Sequence, residues 1–173
     1  LSEYFTPGGA SYAAENFLAA VPGQRREYSN IGAALAGYIV ERAVGEPLNR
    51  YTRRHIFTPL GMRATGWFLS EVDTTQHSTL FVAQNGHIIP IPPYGGITYP
   101  DGGVRTSVLE LSRFFIALLD SGAYQGARIL APRYAAELVR FQFTDANRPD
   151  NFPATDGNSG LFWRTKFGGR RVG

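Results

Sequence analysis

The chain has 173 residues, of which 43% are hydrophobic and 18% charged, with a net charge of +3 at pH 7, a balance that excludes a disordered chain and allows a real core. Its positive charge is scattered in isolated pairs (Arg25-Arg26, Arg53-Arg54 and Arg170-Arg171) rather than gathered in a stripe, so no nucleic-acid partner is expected. Cysteine is absent, which excludes disulfides and cysteine catalysis, and no apolar run approaches the ~18 residues of a membrane span.

In chain order, residues 11–20 carry Ala14, Phe17 and Leu18 at helical spacing and predict a short helix stopped by Pro22-Gly23. Residues 30–44 predict a stronger helix, with Ile31, Leu35 and Ile39 on its inward face and Gly45 as its stop. Pro47 suits the first turn of the next helix, which shows Leu48, Tyr51, His55 and Ile56 on one side and breaks at Pro59-Leu60-Gly61. Residues 79–84 and 87–91 flank Asn85-Gly86, the dipeptide that tolerates two successive positive φ angles, and so predict a hairpin. Pro90, Pro92 and Pro93 demand an edge or irregular path, and residues 95–103 read as loop.

Ser107-Val108-Leu109-Glu110 has the spacing of a capping box. The helix it opens would turn Leu111, Phe114, Phe115 and Leu118 inward and stop at Gly122. Pro132 opens a further short helix, and residues 147–160 are polar and rich in Pro, Gly, Asn and Asp, as a surface loop is. Residues 161–167 alternate as a strand does and are followed by a turn at Gly168-Gly169 and a returning strand over 170–172. Helices in the middle and strands late predict an α+β fold. Residues 1–150 would form a mostly helical region with an inserted hairpin, and residues 151–173 a loop and the first strands of an antiparallel sheet.

The short motif with most chemistry is Tyr28-Ser29-Asn30 at the mouth of the 30–44 helix. A serine nucleophile must lose its proton as it attacks, and a tyrosine beside a cation can take it. An asparagine two residues on can turn its amide to a substrate carbonyl. The structural alternative is that Ser29 or Asn30 caps the helix and Tyr28 packs beside it.

The surrounding text favours the chemical reading. Residues 22–62, PGQRREYSNIGAALAGYIVERAVGEPLNRYTRRHIFTPLGM, resemble the serine β-lactamase-like family, which includes class C β-lactamases, D-alanyl-D-alanine carboxypeptidases and family VIII esterases. The second block, Asp101-Gly102-Gly103-Val104-Arg105-Thr106-Ser107 with its following helix and the Gly126-Ala127-Arg128-Ile129-Leu130 return, is similar to the same family. The resemblance implies a β-lactamase/transpeptidase-like fold, Tyr28 as general base and proton shuttle, Asn30 as the substrate-orienting amide, and Gly102-Gly103 as a structural turn. It also implies an acyl-serine intermediate, a small-molecule or peptide acyl substrate and no cofactor; it favours a periplasmic or secreted location and leaves a cytoplasmic one open. It leaves the oligomeric state open.

Two family motifs are missing. No serine has a lysine three residues on, because Lys166 is the only lysine and residue 163 is Trp. None of His55, His77 and His87 has glycine two residues later, and no Lys-Thr-Gly occurs. The expected place of the first motif is well before Leu1, and of the third just beyond Gly173. The expectation is therefore an incomplete fold and a serine hydrolase for an ester, amide or β-lactam bond, whose nucleophile lies outside these residues. The alternative is a non-catalytic penicillin-binding-protein-like module that binds a peptide or acyl ligand. There is no Gly-x-Ser-x-Gly elbow, no dinucleotide or phosphate loop and no histidine spacing that suits a metal, and residues 156–160 read as a turn.

Overall fold

The computed structural model describes residues 1–166 and 170–172. Five α-helices are described: α1 (Ser2–Phe5), α2 (Asn30–Val44), α3 (Leu48–Thr52), α4 (Val108–Leu119) and α5 (Pro132–Val139). Six strands pair as three separate antiparallel hairpins: β1 (Leu80–Gln84) with β2 (His87–Ile91), β3 (Ala123–Tyr124) with β4 (Ala127–Arg128), and β5 (Arg164–Lys166) with β6 (Arg170–Val172). The fold is α+β, with the antiparallel strand pairs interspersed among the helices. No described helix is long and apolar enough to cross a membrane.

The chain divides into two compact units, residues 1–13 with 29–112 and residues 14–28 with 113–173. In the first, α2 is opened by Ser29, whose Oγ accepts from the Gly32 N–H at 3.0 Å, and closed by Gly45 at φ 73°. Its bounds agree with the sequence, but its buried face does not. Ala34 and Gly37 are the buried residues, while Leu35 is 36% and Ile39 59% exposed. Small residues on this face let side chains of other segments approach the helix closely. A Cβ on Gly37 would stand 2.9 Å from Leu48 Cδ2 and 2.9 Å from Pro100 Cγ.

The helix begun at Pro47 continues past α3 as a single π-helical turn, Arg53–Phe57, with Thr58 N–H donating to Arg53 O at 2.9 Å. Phe57, Leu60, Met62 and Tyr99 are buried in this unit, and His55 is exposed. Phe5 stacks on Tyr38 at 5.5 Å, and Trp67 meets Tyr99 edge-on at 5.3 Å while its Nε1 donates to Thr52 Oγ1 at 2.8 Å. The β1–β2 turn takes φ 51° at Asn85 and 78° at Gly86, the two positive values its sequence requires. Pro90 lies opposite Phe81 in that two-stranded ribbon, where a missing N–H costs no interior pairing.

In the second unit Ala117, Ala135 and Phe152 are buried. The helix expected over 11–20 is absent. Only Ala14–Asn16 makes a 3-10 turn, and Phe17, Leu18 and Val21 are 44%, 72% and 61% exposed, so no packed face stabilises a longer helix. The strand expected to begin at Leu161 begins at Arg164, because Phe162 takes φ 63° and breaks the extended path before it. The expected strand end at Phe167 and the turn at Gly168-Gly169 lie outside the described residues.

Candidate active site

Tyr28 stands one residue before the cap of α2 and is 77% exposed, so it is not a core-packing tyrosine. Ser29 is committed to the cap, with extended backbone at φ −147° and its hydroxyl turned onto the Gly32 N–H. Asn30 is the first residue of α2 and is exposed. The capping reading thus belongs to Ser29.

The peptide that leads into Tyr28 is fixed from far along the chain. Gln24 O accepts from the Asp150 N–H at 2.9 Å. The Arg26 N–H donates to Asn151 Oδ1 at 2.8 Å, and Asn151 Nδ2 donates to Arg26 O at 2.9 Å. The Arg26 guanidinium lies 4.6 Å over the Phe152 ring, with that of Arg148 at 5.8 Å, and Arg148 also donates to Gly157 O at 3.1 Å. The composition of residues 147–160 marks only a surface loop. No local pattern marks Asn151, because its partner is 125 residues away.

In the first unit, a cavity of about 610 Å³ is lined by Arg63, Glu71, Asp73, His77, Arg105 and Ser107 among others. Burial would push the Glu71 carboxyl up, but donors from Asn49, the Trp67 N–H and the Phe68 N–H, with the Arg53 charge, outweigh it and hold the group below its ordinary value. Arg105, also in the lining, is held by its own bonds. Its backbone exchanges two bonds with Gly66, and its guanidinium donates to Trp67 O at 2.7 Å, Gly103 O at 3.0 Å and the Tyr94 carbonyl. A second cavity of about 410 Å³ is lined by His77, Tyr94, Gly95, Gly96, Tyr99 and Asp101 among others. Neither lining includes Tyr28 or Asn30. Among the described residues no group of His, Cys, Asp and Glu is gathered that could hold a metal ion.

The Gly102-Gly103 loop is a turn in the structure. The Gly103 N–H donates to Tyr99 O at 2.8 Å, and a Cβ there would meet that same oxygen at 2.7 Å. Tyr99 in turn donates to Glu41 Oε1 of α2 at 3.0 Å, and burial first, then this carboxylate, raises its phenol above the ordinary value. The capping box at the head of α4 is only half formed. Ser107 Oγ accepts from the Glu110 N–H at 3.2 Å, but the Glu110 carboxylate turns away to the Ala64 N–H at 3.0 and 3.1 Å and the Thr65 hydroxyl at 2.6 Å.

Comparison with known proteins agrees along nearly the whole chain. A family model described as Beta-lactamase matches residues 6–170. An uncharacterized protein of Mycobacterium tuberculosis is 27% identical over 140 residues, which cover 76% of this chain and 34% of that protein. The octameric penicillin-binding protein homologue from Pyrococcus abyssi superposes with a TM-score of 0.68 at 24% identity, over 91% of this chain and 34% of the other. The D-amino acid amidase from Ochrobactrum anthropi SV3 superposes with a TM-score of 0.61 at 22% identity, over 86% of this chain and 41% of the other. At these identities the two structures establish the fold, and the chain spans about a third of the length of the curated relative it matches.

Proposed function

The chain belongs to the Beta-lactamase family, and from that premise we propose that it is part of a serine hydrolase that cleaves an ester, amide or β-lactam bond through an acyl-serine intermediate. Tyr28 is the proton shuttle and Asn30 the amide that orients the substrate, while the nucleophile comes from residues outside these 173. The observation that carries this reading is a solvent-open Tyr28 directly before a helix whose cap is already supplied by Ser29.

The chemistry follows from those groups. The nucleophilic serine oxygen bonds to the acyl carbon as its proton passes to the Tyr28 oxygen. The same proton then moves to the leaving alcohol or amine as the acyl bond breaks. Water repeats the exchange and frees the serine. An amide such as that of Asn30, held at the head of a helix, can donate to a substrate carbonyl and accept from a neighbouring ammonium.

The test is a full-length natural chain that joins these residues to a Ser-x-x-Lys segment, assayed with a chromogenic short-chain ester and a chromogenic cephalosporin. Turnover should depend on that serine, and Tyr28→Phe should lower kcat on the order of a hundredfold, the scale of a lost general base. An unchanged rate in Tyr28→Phe would assign the shuttle to another residue. Ligand binding without any turnover by the parent chain would favour a penicillin-binding module instead.

A further inference from the structure

Proton transfer depends on where the transferring oxygen stands, and a displacement of about 1 Å can cost on the order of a hundredfold in rate. Tyr28 is 77% exposed, so burial in a core does not fix its position. Its main chain is held on one side by the cap of α2 and on the other by what precedes it. Residues 24–26 are tied to residues 150 and 151 by three hydrogen bonds, one from the Asp150 N–H and two through the Asn151 side chain. The Asn151 amide accepts from the N–H and donates to the carbonyl of one residue, Arg26, as the backbone of a neighbouring strand would. The next residue, Phe152, is 8% exposed and carries the Arg26 guanidinium on its ring, so the clamp rests on a buried aromatic.

Resting on the assignment of Tyr28 as proton shuttle, we propose that Asn151 is a positioning residue that holds the Tyr28 hydroxyl in place by pairing with both backbone polar groups of Arg26. Asn151 touches no reacting atom in this scheme. Asn151 and Arg26 lie at the surface end of the unit, where hydrogen bonds add little to global stability. Loss of the Asn151 amide therefore reads out in turnover rather than in unfolding.

The experiment compares four forms of the full-length natural chain: parent, Asn151→Ala, Tyr28→Phe and the double variant. The substrate is 4-nitrophenyl acetate, and the thermal midpoint of each form is measured beside its kinetics. Asn151→Ala should lower kcat on the order of tenfold, hold KM within about twofold and leave the midpoint near that of the parent. Because Asn151 acts through Tyr28, the double variant should be no slower than Tyr28→Phe alone. Losses that multiply in the double variant, or a parental kcat in Asn151→Ala beside an impaired Tyr28→Phe, would overturn the positioning role. A parental kcat in Tyr28→Phe, or a parent without turnover, defeats the shuttle or hydrolase reading itself and takes this one with it.

Discussion

Glu110 shows how one side chain can serve two elements. Its residue is 9% exposed, and its carboxylate is met by the Ala64 N–H and the Thr65 hydroxyl, which lie 45 to 46 residues away in sequence. Neutral donors around a buried carboxylate leave it costly to disturb, since each donor it satisfies is orphaned when it goes. Glu110→Ala should therefore lower stability by about 2–3 kcal/mol, the scale of a lost hydrogen bond to a charged group with its donors stranded. A urea melt of the full-length natural chain checks this, and an unchanged midpoint would show that water replaces the carboxylate. The Ser107 to Glu110 spacing was legible as a helix start, and the Ser107 cap is there. The carboxylate's other destination was not legible, because a capping pattern carries no information about a partner in a distant turn. Tyr28 and Asn30 were legible as candidates from one tripeptide and its flanks, whereas Asn151 sits in a loop whose composition signals only exposure.

At the scale of the element, α2 separates what periodicity can tell from what packing decides. Its start at Asn30 and stop at Gly45 follow from cap chemistry and were readable. Its buried face was not, because bulky residues mark a face only if something covers them, and here Ala34 and Gly37 make the close contact. Two glycines of this helix give a paired prediction. A Cβ on Gly32 meets nothing nearer than Ser29 Cβ at 3.5 Å, so Gly32→Ala should add about 0.5–1 kcal/mol through backbone entropy alone. The same change at Gly37 presses on the rigid Pro100 ring at 2.9 Å and should cost about 1 kcal/mol net, since overpacking exceeds the propensity gain. Thermal midpoints that move in opposite directions are the expected result, and parallel shifts would place α2 farther from Pro100. The lost helix over 11–20 and the late start of β5 have a related origin. A periodic pattern does not outlast the absence of a packed face in the first case or a positive φ at Phe162 in the second.

At the scale of the molecule, α2, the β1–β2 hairpin and the family resemblance that two sequence blocks carry were readable, whereas α1 and the β3–β4 hairpin were not. The division into two units was not, since each is assembled from separate stretches of chain. Large apolar side chains stay open on several elements: Ile39 at 59% on α2, Ile88 at 76% on β2, and Val108 at 84% and Leu119 at 88% on α4. Exposed apolar surface of that kind favours association. The 173 residues expressed alone should elute from a sizing column ahead of a monomer and bind a hydrophobic dye. They should hydrolyse neither the ester nor the cephalosporin above background, because in the proposed scheme the nucleophile is a Ser-x-x-Lys serine, which these residues do not contain. A dye-silent monomer, or serine-dependent turnover by this piece, would contradict the reading on the corresponding count.

The clamp between Arg26 and Asn151 also sets an order of events during synthesis. Residues 14–28 share a unit with 113–173, so they leave the ribosome early and wait while residues 29–112 are made. At roughly 5–20 residues per second that wait lasts several seconds, far longer than a helix such as α2 needs to form. Closing so long a loop before other contacts exist is entropically unfavourable, and contacts of this separation slow folding. The peptide that leads into Tyr28 therefore takes its final place late in folding, and a nascent chain arrested before residue 150 would carry a finished α2 but an unanchored Tyr28.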